Sequence, residues 1–313
     1  MHHLAFGLRI ALAFTLIGAS TLLHVTPLLA IAVLKALLPV AAVRRASNAA
    51  LGAIAESWVG FNSRMIDLVT NTRFTTTIDA ALARDGHYLV LANHQSWVDI
   101  PVMQYVLNRR IPLLRFFLKR ELFWVPLLGL AWWALDFPFM RRYSRDQLAR
   151  NPHLLGKDIE ATRRACEKFR EIPVSITNFV EGTRFTPAKR AATRSPFRHL
   201  LRPKAGGAAF VIDAMRDGLH AVLDVTIVYP DGRPGMLDLF GNRLREVRID
   251  VRERPIPREF FGGDYQGNAA FRQRFKAWMN GIWEEKDARI DALLADAHPS
   301  ERTPQRHGRD EAL

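Results

Sequence analysis

The stretch HYLVLANHQSWVD, residues 87–99, decides how this chain of 313 residues is read. Its first six residues are an apolar run without helical spacing, the pattern of a buried strand, and the run stops at Asn93 and His94. A histidine just past such a strand is exposed and held at once. Ser96, Trp97 and Val98 would start a helix, which puts Asp99 in a first turn. From there its carboxylate can fold back to accept a proton from one imidazole nitrogen and leave the other as a free base. That pairing fixes the tautomer and stabilises the imidazolium formed on proton removal. Spacing alone is weak evidence, because Asp is an ordinary helix-start residue and a His five positions away is common.

Similar apolar runs recur at residues 174–180 and 221–229, with a weaker one at 247–251 and a polar strand-like stretch through Thr75, Thr76 and Thr77. Helical spacing marks residues 48–70, 158–170 and 205–215. Strands alternating with helices predict an α/β domain with a partly parallel sheet, where ligands collect beyond the strand ends. The C-terminal part carries Phe271, Phe275, Trp278, Met279, Ile282, Trp283, Ile290, Leu293 and Leu294 at amphipathic-helix spacing. Acids and bases alternate on its other face, which favours packing on the domain over membrane contact. After Pro299 the tail is polar and expected to be disordered. The single cysteine, Cys166, excludes an intramolecular disulfide and a Cys-rich metal cluster, and agrees with a reducing compartment. The organisation expected is an N-terminal membrane anchor (1–45), a catalytic domain (46–262), a C-terminal amphipathic helix (263–298) and a tail (299–313).

Lys and Arg number 44 against 31 Asp and Glu, a net charge of +13. An anionic partner is expected: nucleic acid, a membrane surface or a phosphate-bearing substrate. The basic residues are focused, nine against three acids in residues 101–150 and seven against one in residues 181–204. Zinc-finger and RRM-type signatures are absent, and a nucleic-acid binder has no use for the N-terminal segment. Residues 10–34 contain no Asp, Glu, Lys or Arg, while about 20 apolar residues suffice to cross a bilayer. The apolar character runs on to Val43, longer than a cleaved signal or a core helix would need. His24 and Pro27 interrupt it, leaving either one kinked spanning helix or two shorter helices forming a hairpin in one leaflet. Lys35, Arg44 and Arg45 follow the run, so the positive-inside bias places the rest of the chain in the cytoplasm.

Two further clusters end apolar segments. Phe179-Val180-Glu181-Gly182-Thr183-Arg184 supplies an acid, a turn glycine, a hydroxyl and an arginine, a set suited to gripping a polar head group. Phe139-Met140-Arg141-Arg142 ends in two guanidinium groups, the side chain of choice for fork-like phosphate binding. Taken with these, NHQSWVD (93–99) resembles the NHx4D motif of the glycerophospholipid acyltransferases, the family that includes 1-acylglycerol-3-phosphate acyltransferase. FVEGTRF (179–185) is similar to that family's FPEGTR block, and FMRR (139–142) matches its F-x-x-R block with Arg142 at the arginine position. The blocks follow in family order over residues 86–230. Lys119 with Glu121, Pro126 and Gly129, and Lys204 with Gly206, are further family-like features. Val180 stands where the family has proline, and VLDVTIVYP (222–230) resembles the branch of lysocardiolipin and lysophosphatidylinositol acyltransferases.

The resemblance implies a glycerol-3-phosphate acyltransferase-like α/β domain with a mixed, partly parallel sheet behind the N-terminal membrane helix or hairpin. It implies transfer of a fatty acyl group from acyl-CoA or acyl-carrier protein to a lysophospholipid hydroxyl. 1-Acylglycerol-3-phosphate, giving phosphatidate, is the first acceptor, with lysophosphatidylglycerol or lysophosphatidylinositol as alternatives. His94 would be the general base and Asp99 its partner. Arg141, Arg142, Gly182, Thr183, Arg184, Lys119 and Lys204 would bind substrate, with Glu181 orienting Arg184 or a glycerol hydroxyl. A thioester is already activated, so no cofactor, metal or covalent Ser or Cys intermediate is expected, and no G-x-S-x-G elbow is present. The apolar residues 122–135, with Trp124, Trp132 and Trp133, suit an acyl-chain slot, a membrane interface or ordinary core. The implied setting is a bacterial inner (cytoplasmic) membrane with the catalytic domain facing the cytoplasm. The rival of another class is a noncatalytic basic protein that binds membranes or nucleic acid, which would have no need of His94 and Asp99.

Overall fold

A central strand of a parallel sheet is covered on both faces and therefore needs apolar side chains at successive positions. In a computed structural model of the protein, which describes residues 2–38, 40–140, 150, 169 and 172–297, β2 (His87–Ala92) is such a strand. It pairs in parallel with β6 (Val174–Phe179) on one side and β7 (Ala221–Val228) on the other. β3 (Leu114–Phe116) extends the sheet beyond β6, again in parallel. β8 (Glu246–Arg254) runs antiparallel to β7, and β1 (Arg73–Asp79) closes that edge parallel to β8. The order β1-β8-β7-β2-β6-β3 is the mixed, partly parallel sheet that the sequence predicts. β4 (Leu118–Lys119) and β5 (Phe139–Met140) form a separate two-stranded ladder.

Alternation along β2 sends its side chains into two cores. Leu89 and Leu91 face α6 (Gly206–Met215) and α8 (Ala269–Ala297). Tyr88, Val90 and Ala92 face α3 (Asp99–Leu107), the end of α2 (Ala41–Val69) and Ala13 of α1 (His2–Leu37). Shorter helices α4 (Leu128–Ala134), α5 (Pro187–Ala192) and α7 (Met236–Phe240) occupy the connections. The helix expected at 158–170, with Cys166, lies outside the described residues apart from Phe169, as does the polar tail.

α1 is continuous through Pro27 and long and apolar enough to cross a membrane by length and composition. It folds back on α2: His24 Nε2 lies 3.2 Å from Ser57 Oγ, and Val25 and Leu28 pack with Leu51 and Ala55. The N-terminal half is also tied to the domain, through Ala13 in the core and Phe14 edge-on to Phe240 of α7. The continuity of α1 overturns the expected alternative of two shorter helices parted at His24 and Pro27: the apolar run is one long helix, and its antiparallel partner is α2, which begins beyond it at Ala41. One face of α1 remains apolar and exposed, including Leu8, Leu12, Leu23, Val33 and Leu37. α4 packs into the hairpin through Ala131, Ala134 and Leu135, while Trp133 (58% exposed) and Trp124 (80% exposed) point away from it.

The apolar stripe of α8 is buried against the sheet, and Lys286 is buried with it. Its ammonium lies 2.5 Å from Asp224 Oδ1 and donates to the carbonyl of Val225 at 2.6 Å. Asp224 also meets Arg254 Nε at 2.9 Å. The unusual acid in VLDVTIVYP is thus the partner of two cations. Removing one member of a buried pair leaves an uncompensated charge, whereas replacing both by apolar groups is often tolerated. Lys286→Met leaves Asp224 with Arg254 alone and the carbonyl of Val225 without that donor, and should destabilise the protein by about 3 kcal/mol. Adding Asp224→Leu should recover most of that loss in denaturation midpoints, and a double variant no more stable than the single one would contradict the pairing.

Candidate active site

β2 ends where Asn93 takes over from the ladder. Its side-chain amide donates to Ile227 O at 2.9 Å and accepts from Ile227 N at 2.8 Å, clasping β7 like one more residue pair. The chain can then leave the sheet at His94 without stranding buried backbone groups. The His94 amide donates to Glu181 Oε1 at 2.9 Å, and its carbonyl accepts from Phe185 N at 2.7 Å. The 179–185 segment therefore grips the backbone on which the imidazole is mounted. Phe179 stacks on the ring at 4.1 Å between centroids, 19° from coplanar.

His94 Nδ1 lies 2.8 Å from Asp99 Oδ2. That oxygen also accepts from Gln95 N at 2.6 Å and Ser96 N at 2.9 Å, and Oδ1 accepts from the Tyr229 hydroxyl at 2.6 Å. The Asp99 side chain is fully buried. The two backbone amides can only donate to it and the Tyr229 hydroxyl donates to the negative carboxylate, so the network assigns the remaining proton to Nδ1. Nε2 is then an acceptor, and among the described residues it has no hydrogen-bond partner. Burial and the negative charge of Asp99 push the Tyr229 hydroxyl well above its usual range, which keeps it a donor. Ser96 closes the turn, accepting from Val98 N at 3.0 Å and donating to Pro234 O at 2.5 Å.

The other sequence-predicted residues are placed less uniformly. Glu181 is buried, and among the described residues its hydrogen bonds go to backbone amides and not to Arg184. Its two oxygens accept from His94 N and, at 2.8 Å, from Leu201 N, because a side chain just past β6 turns into the core. Burial raises its carboxyl to about 7, opposed by those two amides and by the charge of Lys286. Gly182 has φ +70, and a Cβ there would come within 2.9 Å of Lys204 Nζ, so glycine serves both the turn and the approach of that ammonium. Thr183 Oγ1 accepts from Lys189 Nζ at 2.7 Å. Arg184 is exposed, its guanidinium 4.7 Å above the Trp97 ring. Lys119 is exposed on β4, opposite Met140 in register. Arg141 and Arg142 lie outside the described residues. Sequence reasoning passed over Tyr229, whose signal is an aromatic hydroxyl just past the end of a largely apolar strand, and Phe179.

Residues 73–230, just over half of the chain, match the family model described as Acyltransferase. The chain belongs to the acyltransferase family. Similar curated proteins include lysocardiolipin acyltransferase 1 of Gallus gallus, 23% identical over 76% of this chain and 61% of that protein. Another is 1-acyl-sn-glycerol-3-phosphate acyltransferase gamma of Mus musculus, 27% identical over 64% of this chain and 52% of that protein. The chain thus spans about half to three-fifths of the length of these relatives. The crystal structure of the 1-acyl-sn-glycerophosphate acyltransferase of Thermotoga maritima has the same fold, with a TM-score of 0.53 at 17% identity, covering 91% of this chain and 98% of that one. The matched stretch of this acyltransferase contains the His94, Asp99, Glu181 and Tyr229 network entire, whereas Lys286 and the hairpin lie outside it.

Two outcomes follow for the network. Tyr229→Phe removes a hydrogen bond to a buried carboxylate, worth about 1.5–3 kcal/mol. Thermal unfolding should show that loss, and turnover should fall with it; unchanged stability would mean the hydroxyl is not bonded to Asp99. For Glu181, the folded pKa lies above the ordinary carboxyl value of 4.5. Its contribution to stability is therefore full below that value and is lost as pH rises to about 7. Glu181→Gln should flatten the fall in stability over that interval, and an equally steep fall in the variant would place the titration elsewhere.

Proposed function

We propose that this acyltransferase esterifies a hydroxyl of a lysophospholipid with an acyl group taken from a thioester, at a membrane surface. The observation that carries this reading is the 2.8 Å contact of His94 Nδ1 with a fully buried Asp99, which makes Nε2 the basic nitrogen. An acceptor hydroxyl bonded to Nε2 loses its proton to that nitrogen as its oxygen attacks the thioester carbonyl. Asp99 stabilises the resulting imidazolium. Collapse of the tetrahedral intermediate breaks the carbon–sulfur bond, and the imidazolium returns its proton to the departing thiolate. The chemistry requires no cofactor beyond the donor itself, acyl-CoA or acyl-carrier protein.

Arg184 and Lys204 lie on or against the segment that grips His94, and an acceptor phosphate held there would leave a glycerol hydroxyl near Nε2. Lys119, Arg141 and Arg142 would add to the same anionic contact. The relatives' names cover both lysophosphatidate and lysocardiolipin acceptors. We take 1-acylglycerol-3-phosphate as the first acceptor, with lysophosphatidylglycerol or lysophosphatidylinositol as alternatives. The exposed apolar face of α1 and the outward Trp124 and Trp133 support attachment within one leaflet. Because α1 is packed on its own domain, the hairpin enters the leaflet from the side on which the domain sits. The positive charge of Arg44 and Arg45 supports the cytoplasmic leaflet, and we take a bacterial inner membrane as the setting.

His94→Ala should lower acyl transfer by at least about 10²-fold with membrane attachment intact. The measurement is label transfer from acyl-CoA in purified membranes, run against lysophosphatidate, lysophosphatidylglycerol, lysophosphatidylinositol and lysocardiolipin. Substantial turnover by the variant, or product formation without any acceptor, would sink the assignment.

A further inference from the structure

At the end of the sheet remote from His94, Arg84 precedes β2, Pro112 precedes β3 and Pro173 precedes β6. There the first turns of α2 stand over a cavity of about 460 Å³, within the roughly 300–1,000 Å³ usual for ligand pockets. Its charged lining among the described residues is Arg44, Arg45, Arg84, Arg115 and Glu56. Glu56 is engaged by Arg84 at 2.9 Å and approached by Arg109 at 4.0 Å. Arg44 and Arg45 have no acidic partner among the described residues. The site is therefore cationic.

Arg115 is the least ordinary of these residues. It is only 8% exposed, its Nε donates to Leu135 O at 2.9 Å, and its guanidinium lies 5.2 Å from the centre of the Phe169 ring. Burial lowers it to about 10, offset in part by Asp136, which also meets Lys35 at 3.4 Å. A buried guanidinium gains from each anion that meets it, and Asp136 offsets only part of the cost of burying this one. Arginine presents a planar fork that fits phosphate oxygens. Just before Arg44 the hairpin tip exposes Leu37, Leu38 and Val40. With that tip in the leaflet, the cavity mouth lies at head-group depth, where basic pockets collect anionic lipids.

We infer that this cavity binds the phosphate of an anionic phospholipid other than the acceptor, held by Arg44, Arg45 and Arg115. This rests on the membrane attachment proposed above and is independent of the chemistry at His94. The full chain, purified in a neutral detergent, is titrated with dihexanoylphosphatidylglycerol, dihexanoylphosphatidylcholine and inorganic phosphate, with intrinsic fluorescence as the readout. Two variants remove the site in different ways. Arg44→Gln with Arg45→Gln deletes exposed charge. Gly52→Trp fills the cavity with every charge intact, since a Cβ there meets nothing within 4 Å. The expected result is saturable binding of the phosphatidylglycerol alone, weakened at least tenfold, about 1.4 kcal/mol, in both variants. His94→Ala should bind like the unaltered chain, and both cavity variants should keep full acyl transfer in detergent. Unchanged affinity in both variants would overturn the inference, because the lipid would then be binding elsewhere. Equal affinity for inorganic phosphate would overturn the assignment to a lipid.

Discussion

A carboxylate survives in a protein interior only where donors replace the water it has lost. Asp99 has four: the amides of Gln95 and Ser96, the hydroxyl of Tyr229 and the ring nitrogen of His94. Two come from its own turn, so the turn must keep its shape. One comes from beyond the end of β7, so β7 must lie beside β2 with Ala92 opposite Val225. A one-residue slip would reverse the faces of β7 and draw the tyrosine away. The need to satisfy this one charge thus constrains strand order, register and the α3 start together, and the orientation of the base follows from it.

The positive charge of the chain divides into a structural part and an available part. Along β1 and β8, Arg73 and Arg248 share Glu246, while Arg252 and Arg289 share Asp250. These cations are spent on buried acids of the sheet, Glu246 and Asp250, which need them as partners. Arg184 instead lies over an aromatic ring, and Arg44 and Arg45 line open space. Net charge therefore says less about function than which cations the fold leaves without an acid.

The strands that carry the chemistry were legible because each is an apolar run long enough to be distinguished from its surroundings. The runs at 87–92, 174–180 and 221–229 correspond to β2, β6 and β7 within one residue. β3, β4 and β5 were not, because two or three residues hold no period, and only partners distant in sequence make them strands. The inward turn of Glu181 was not legible, because sequence names the residue after a strand but not the side to which it turns. Lys286 falls in line with Ile282 and Ile290 on the apolar stripe, yet a buried lysine is recognisable only once Asp224 is beside it. Hydropathy marked Pro27 as an interruption, whereas α1 runs through it, because a proline costs a long helix one hydrogen bond that its remaining turns can carry.

The segments that are least family-like bear on the site through β7. Lys286 of α8 holds Asp224 and the carbonyl of Val225. Two residues further along, Ile227 is clasped by Asn93, and two beyond that Tyr229 reaches Asp99. The same ammonium acts on Glu181, which fixes the His94 amide. A helix outside the matched stretch is therefore connected to both supports of the base, the strand that carries Tyr229 and the carboxylate that carries the backbone. The His94 ring stays partly open to solvent while the two carboxylates that hold it, Asp99 and Glu181, are buried. That burial is completed by residues whose own motif signals nothing about acyl transfer.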